Sequence, residues 1–164
     1  MSFHIQPIDV ADKSSFYKEL AIQLRGLLEG ERDAVANAAN CSALINQSLA
    51  DLNWAGFYIM RNGELVLGPF QGKTACVRIA VGRGVCGAAV ERKISILVED
   101  VHAFPGHIAC DAASRSELVV PLIRAGEIIG VIDLDSPSPG RFDEDDRLGI
   151  ETLARIFVEA SDPF

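Results

Sequence analysis

The stretch Leu118-Val119-Val120-Pro121-Leu122-Ile123-Arg124-Ala125-Gly126-Glu127-Ile128-Ile129-Gly130-Val131-Ile132-Asp133-Leu134-Asp135-Ser136 decides the fold. Two apolar, β-branched runs of strand length flank Arg124-Ala125-Gly126, which reads as a hairpin with a three-residue loop and Gly126 in the left-handed position. That loop sets Leu118 and Leu122 opposite Ile132 and Ile128, and Glu117 opposite Asp133, with the apolar side chains on one face. Pro121 has no N–H for a ladder, which predicts a sheet edge or a bulge at that point.

On the N-terminal side, Trp54 to Met60 and Leu65 to Leu67 enclose Asn62-Gly63, the pair whose readiness for positive φ is the strongest short hairpin signal. Gly68-Pro69-Phe70-Gln71-Gly72-Lys73 is expected to end that hairpin in a loop. Further strands are predicted at Cys76 to Val81 and Ile94 to Val98, with a short helix from Gly84 to Arg92 between them. Residues 14 to 28 place Phe16, Leu20, Leu24, Leu27 and Leu28 on one helical face before Gly30. Asp33 is a suitable N-cap for a second helix with Val35, Ala38, Ile45, Leu49 and Leu52 facing inward. Ser136-Pro137-Ser138-Pro139-Gly140 breaks the chain before a last helix from about Asp143, in which Ile150, Leu153 and Phe157 face the core. Strands joined largely by hairpins, with helices at both ends, make one α+β domain over residues 1 to 164, built on an antiparallel sheet of five or six strands.

Fifteen Lys and Arg against 23 Asp and Glu leave a formal net charge of −8, which disfavours nucleic acid and anionic membrane surfaces as partners. The aliphatic runs are far shorter than the roughly 20 residues that span a bilayer. The start, Met1-Ser2-Phe3-His4-Ile5-Gln6-Pro7, has no basic segment leading into an apolar one, so a cytoplasmic protein is expected. There, four cysteines point away from a structural disulfide framework and towards packing, metal binding or redox chemistry.

Gly82-Arg83-Gly84-Val85-Cys86-Gly87 matches the dinucleotide pattern G-x-G-x-x-G. The helix after it is only about two turns, and the chain is built from hairpins rather than βαβ units, so the glycines read as turn residues. Cys76, Cys86, Cys110, His102 and His107 lack the short C-x2-4-C knuckle of structural zinc sites, so no metal is expected. Redox use suits the cysteines better. Cys76 opens a strand beside a loop, Cys86 starts a helix whose dipole favours thiolate, and Cys110 lies in a polar loop beside Asp111. Cys41, inside the second helix, reads as a small core residue. On the strands, Trp54 and Tyr58 share one face, as do Asp133 and Asp135. Glu117 joins the aspartates, and three neighbouring carboxyls raise the pKa of at least one, supplying a proton donor near neutral pH. The alternative is that these acids are solvated strand ends and that Trp54 is core.

Four segments carry a family resemblance: Gly68-Pro69-Phe70-Gln71-Gly72 through Ala75-Cys76; Gly82-x-Gly84-Val85-Cys86-Gly87; Asp100 to Asp111, DVHAFPGHIACD; and Gly130-Val131-x-Asp133-x-Asp135-Ser136. In these the chain resembles the free methionine-(R)-sulfoxide reductases, small proteins of the GAF fold. The resemblance implies a GAF-type sheet flanked by N- and C-terminal helices, and reduction of free methionine sulfoxide. It implies Cys110 as nucleophile, Cys76 as resolving thiol and Cys86 as a third cysteine of less settled role. Trp54, Tyr58, Glu117, Asp133 and Asp135 fall on the substrate-pocket positions, with Glu117 or Asp133 as the acid. Thioredoxin is the implied reductant, no cofactor is required, and a homodimer is compatible with the pattern. The same fold also serves as a non-catalytic small-ligand sensor, and a thiol peroxidase is a third reading. The three cysteines, which a sensor does not need, favour the reductase.

Overall fold

The computed structural model describes residues 4–108 and 111–164. Among these, four helices and six strands follow in the order α1 (Lys13–Leu27), α2 (Ala34–Ser48), β1 (Trp54–Arg61), β2 (Glu64–Gly72), β3 (Arg78–Ala80), α3 (Gly84–Arg92), β4 (Ile96–Val98), β5 (Ser116–Arg124), β6 (Glu127–Ser136) and α4 (Glu144–Ala160). A single 3-10 turn, Val101–Ala103, lies between β4 and β5. The strands form one antiparallel sheet in the order β3-β2-β1-β6-β5-β4.

The helix starts follow from local chemistry. Asp12, Asp33 and Asp143 each accept a backbone N–H of the first turn, from Ser15, Ala36 and Asp146 respectively. At α4 the cap is reciprocal, because the Asp146 side chain also accepts the Asp143 N–H. α1, α2 and α4 cover one face of the sheet, sealing Leu20, Leu24, Ala38, Leu44, Ile45, Phe57, Ile132, Leu134 and Phe157. Two inward assignments differ from expectation. Tyr17 rather than Phe16 is the buried aromatic of α1, and Val35 is exposed. Tyr17 packs where Gly149 of α4 has no side chain, and its hydroxyl donates to Asp146 Oδ1 at 2.7 Å. Asp146, 1% exposed, also receives Lys13 at 2.6 Å and Arg141 at 3.3 Å. Those partners make its burial tolerable.

Both long hairpins turn on two residues with positive φ, Asn62-Gly63 and Ala125-Gly126. The second loop is therefore one residue shorter than expected, because Ala125 takes a conformation that alanine rarely adopts. Each hairpin then carries a bulge on its second strand. In β2 it lies at Gly68-Pro69, between the pairs Gly56↔Phe70 and Tyr58↔Leu67, so the segment expected as loop continues the strand through Gly72. In β6 it lies at Ile129, between Leu122↔Gly130 and Ile123↔Ile128. The expected register is corrected accordingly: Leu118 pairs with Leu134, Leu122 with Gly130, and Glu117 with Asp135 rather than Asp133. From Ser116 to Leu122 the shift is two residues, so side chains there keep the face that alternation assigns to them, whereas Ile128, beyond the bulge, is turned to the face opposite Leu118 and Ile132. Pro121 lies beyond the last β4 pair, Ile96↔Val119, where β5 is itself the sheet edge.

The other sheet face carries α3 and the connection that leads into β5. β3 begins at Arg78, two residues later than expected, so Cys76 precedes the strand. The glycines of the G-x-G-x-x-G pattern serve this turn. Gly82 and Gly84 have positive φ, and a Cβ on Gly87 would stand 2.4 Å from the Ala80 carbonyl oxygen.

Candidate active site

Strand alternation brings Trp54 and Tyr58 of β1, Glu117 of β5, and Asp133 and Asp135 of β6 to one pocket beneath the start of α3. Cross-strand pairing supports the arrangement, with Trp54 opposite Asp135 and Gly56 opposite Asp133. A Cβ on Gly56 would lie 2.3 Å from that of Phe70, so glycine there lets β2 bring Phe70 against the indole. Trp54 is 5% exposed and stacked, with Phe70 at 5.1 Å and Tyr58 at 5.9 Å between ring centroids. Its Nε1 donates to the Lys73 carbonyl at 3.1 Å, and the Tyr58 hydroxyl donates to the Cys76 carbonyl at 2.9 Å. The aromatic pair thus fixes the 73–76 segment at the rim.

The acids are buried, not solvated strand ends. Glu117 and Asp133 are each 6% exposed. Burial raises all three carboxyls. Asp133 is pushed up to about 7, and Glu117 stands well above the usual range, first through desolvation and then through the charges of Asp133 and Asp135. Asp135 is raised by burial and by Asp133, with Ser114 partly offsetting this through a hydrogen bond. Asp133 Oδ1 has no hydrogen-bond partner among the described residues.

Cys86 departs from the thiolate expected at a helix start. It does open α3, but it is 4% exposed, and desolvation together with Asp133 and Glu117 pushes its thiol well above the normal value. The expected thiolate-favouring dipole is overridden by burial beside negative charge. Cys41 is likewise buried, with its thiol raised to about 12. Both are free. Cys76 is half-buried and disulfide-bonded. The expected nucleophile, Cys110, lies outside the described residues. Its neighbours Ile108 and Asp111 both line the pocket.

Among the lining groups, Ser114 was not foreseen and His107 was weighed from sequence only as a metal ligand. His107 sets Nε2 3.7 Å from Glu117 Oε2, and burial followed by the charge of His102 lowers its pKa. Asn53 donates to Asp111 at 3.2 Å and to Ser114 at 3.0 Å, tying the far end of the connection to β1. Asp111 also accepts the Ala113 N–H, which is the main reason its carboxyl is held low. The only available signal was Asp111 two residues before Ala113, a local turn pattern. Among the described residues the fold gathers Cys86 with Glu117 and Asp133, a different set from the cysteines and histidines weighed from sequence.

An aromatic-walled acidic pocket on one face of a six-stranded antiparallel sheet, with helices sealing the other, is the architecture of a GAF domain. The GAF domain family model matches residues 39–160, and the chain belongs to that family. Within it, the chain belongs with the free methionine-R-sulfoxide reductases. It is 54% identical over 142 residues to the free methionine-R-sulfoxide reductase of Escherichia coli (strain K12), covering 87% of this chain and 86% of that protein. To the Saccharomyces cerevisiae protein of the same name it is 43% identical over 161 residues, 93% and 89% of the two chains. The X-ray structure of free methionine-R-sulfoxide reductase from Neisseria meningitidis in complex with its substrate superposes with a TM-score of 0.93 at 42% identity, covering 97% and 95%. No helix among the described residues is long and apolar enough to cross a membrane.

Proposed function

We propose that this chain, acting as a single GAF domain, reduces free L-methionine-(R)-sulfoxide to methionine. The observation that carries the reading is a set of three carboxyls, Glu117 and Asp133 buried and Asp135 half-buried, lining one pocket with Trp54 and Tyr58. One acid suffices to protonate the sulfoxide oxygen as it leaves. The other two suit a cationic α-ammonium, and Trp54 offers an apolar wall for the S-methyl group.

In the proposed cycle the Cys110 thiolate attacks the sulfoxide sulfur while Glu117 or Asp133 protonates the oxygen. Methionine leaves and Cys110 becomes a sulfenic acid. Cys76 condenses with it, forming a disulfide and releasing water. An external dithiol such as thioredoxin then returns both thiols, and the cytoplasm is the compartment that supplies one. Cys86, protonated in its buried site, is a reserve thiol rather than the first nucleophile. Cofactors have no part in the cycle.

The decisive experiment compares free methionine-(R)-sulfoxide with its N-acetyl derivative in the presence of dithiothreitol. The derivative keeps the sulfoxide and carboxylate but loses the ammonium, so kcat/KM should fall by about 10⁴-fold or more as buried negative charge loses its partner. Comparable values for the two would overturn the role given to the acids. Failure to consume the free compound at all would overturn the activity.

A further inference from the structure

We propose that the pocket is also a binding site for a thiophilic divalent cation, Zn²⁺, held by Cys86, Glu117 and Asp133 in competition with the substrate. Sγ of Cys86 and one carboxylate oxygen from each of Glu117 and Asp133 lie within 4.8 Å of one another. Tetrahedral zinc with Zn–S of about 2.3 Å and Zn–O of about 2.0–2.2 Å needs its donors about 3.3–3.7 Å apart, so the three side chains close on the ion by about 1 Å or less. The second, independent sign is Asp133 Oδ1, which is buried on a residue only 6% exposed and has no hydrogen-bond partner among the described residues. His107, with Nε2 3.7 Å from Glu117 Oε2 but outside that 4.8 Å group, would swing inward to serve as a fourth donor.

The donor set selects the metal. Calcium and magnesium call for all-oxygen shells, whereas one sulfur and one imidazole beside two carboxylates suit zinc. Binding involves no redox step. The Cys86 thiol gives its proton to solvent, the carboxyls give up any they hold, and the ion takes the vacated lone pairs. The negative charge that welcomes the ion is the charge assigned above to the substrate's α-ammonium. The competition therefore rests on the proposed function, while the metal site itself does not.

The test uses the full-length chain, reduced and freed of reductant, titrated with Zn²⁺ against a chromophoric chelator and with Co²⁺ for its thiolate charge-transfer absorption. The expected result is one ion per chain and a charge-transfer band that survives Cys76→Ser/Cys110→Ser, disappears when Cys86→Ser is added, and is indifferent to Cys41→Ser. Loss of a direct ligand should weaken Zn²⁺ by more than the roughly 10–100-fold typical of outer-shell partners. A band that vanishes in the Cys76/Cys110 double variant, or persists in Cys86→Ser, overturns the site. Should Cys86→Ser fail to fold by circular dichroism, Glu117→Gln must weaken Zn²⁺ instead, and unchanged affinity there is equally fatal. Free Zn²⁺ at ten times its Kd should raise the apparent KM for free methionine sulfoxide about elevenfold with kcat unchanged. A fall in kcat at constant KM overturns the competition. An inactive enzyme that still binds Zn²⁺ through Cys86 would refute the reductase reading and leave the metal site standing.

Discussion

Glu117 stands directly opposite Asp135 across the β5–β6 ladder, and the next pair towards the hairpin tip on that face sets Val119 against Asp133. Like charges opposite one another on a sheet are destabilising. Here Glu117 is also buried and Asp135 half-buried, so the arrangement costs stability and demands a positively charged or protonated occupant.

Replacing Glu117 with Gln should therefore separate stability from activity. Above neutral pH the variant should be more stable by about 1 kcal/mol, roughly 2–4 °C in Tm, because one buried charge is removed. Its kcat/KM on free methionine sulfoxide should fall by about 10²-fold or more if Glu117 is the acid. A variant that is both less stable and fully active would contradict this account.

The pH dependence carries a definite sign. Asp133 is raised to about 7 in the folded protein from an ordinary value near 4, so the folded state binds more protons across that window. Stability should fall as pH rises from about 4 to about 7, and be fully lowered above it. Asp133→Asn should flatten this slope. Thermal melts of both proteins between pH 4.5 and 8 give the difference, and a wild-type slope of the opposite sign relative to the variant would refute the assignment.

Cys110→Ser should abolish turnover even with excess dithiothreitol. Cys76→Ser should lose thioredoxin-dependent cycling yet release about one methionine per chain in a single turnover, since the sulfenic acid still forms. Identical single-turnover defects in the two variants would mean that the roles of nucleophile and resolving thiol are misassigned.

On the opposite face, Gly149→Ala would place a Cβ 2.1 Å from the Tyr17 ring. Ring displacement would also pull the hydroxyl from the buried Asp146. A loss of about 3 kcal/mol or more in urea unfolding is expected. Tyr17→Phe, which removes only the hydrogen bond, should cost about 1–2 kcal/mol. Equal losses would show that packing at Gly149 is not the constraint.

What was legible in the sequence is what has a short period or a local cap. Asp33 and Asp143 bear out as helix starts, while the Asp12 cap of α1 was not foreseen. Trp54 with Tyr58, and Asp133 with Asp135, share a face because alternation survives any two-residue error in register. The register itself was misjudged because it rested on one turn conformation, that of Ala125, which residue type argues against. His107 and Ser114 reach the pocket through a loop whose path depends on tertiary contacts, so no periodicity could place them. Cys86 was misjudged for a different reason. A local dipole argument cannot know that the helix start faces two buried carboxyls.

The bulge at Ile129 gives the second hairpin a length allowance of one residue. Deleting Ile129 would leave every β5–β6 pair intact and merely straighten the ladder. Deleting Val131 would have to be absorbed by drawing Ile129 into the place of Gly130, where a Cβ lies 2.4 Å from the Tyr58 carbonyl oxygen. Two deletions of equal size, two residues apart, thus have opposite fates.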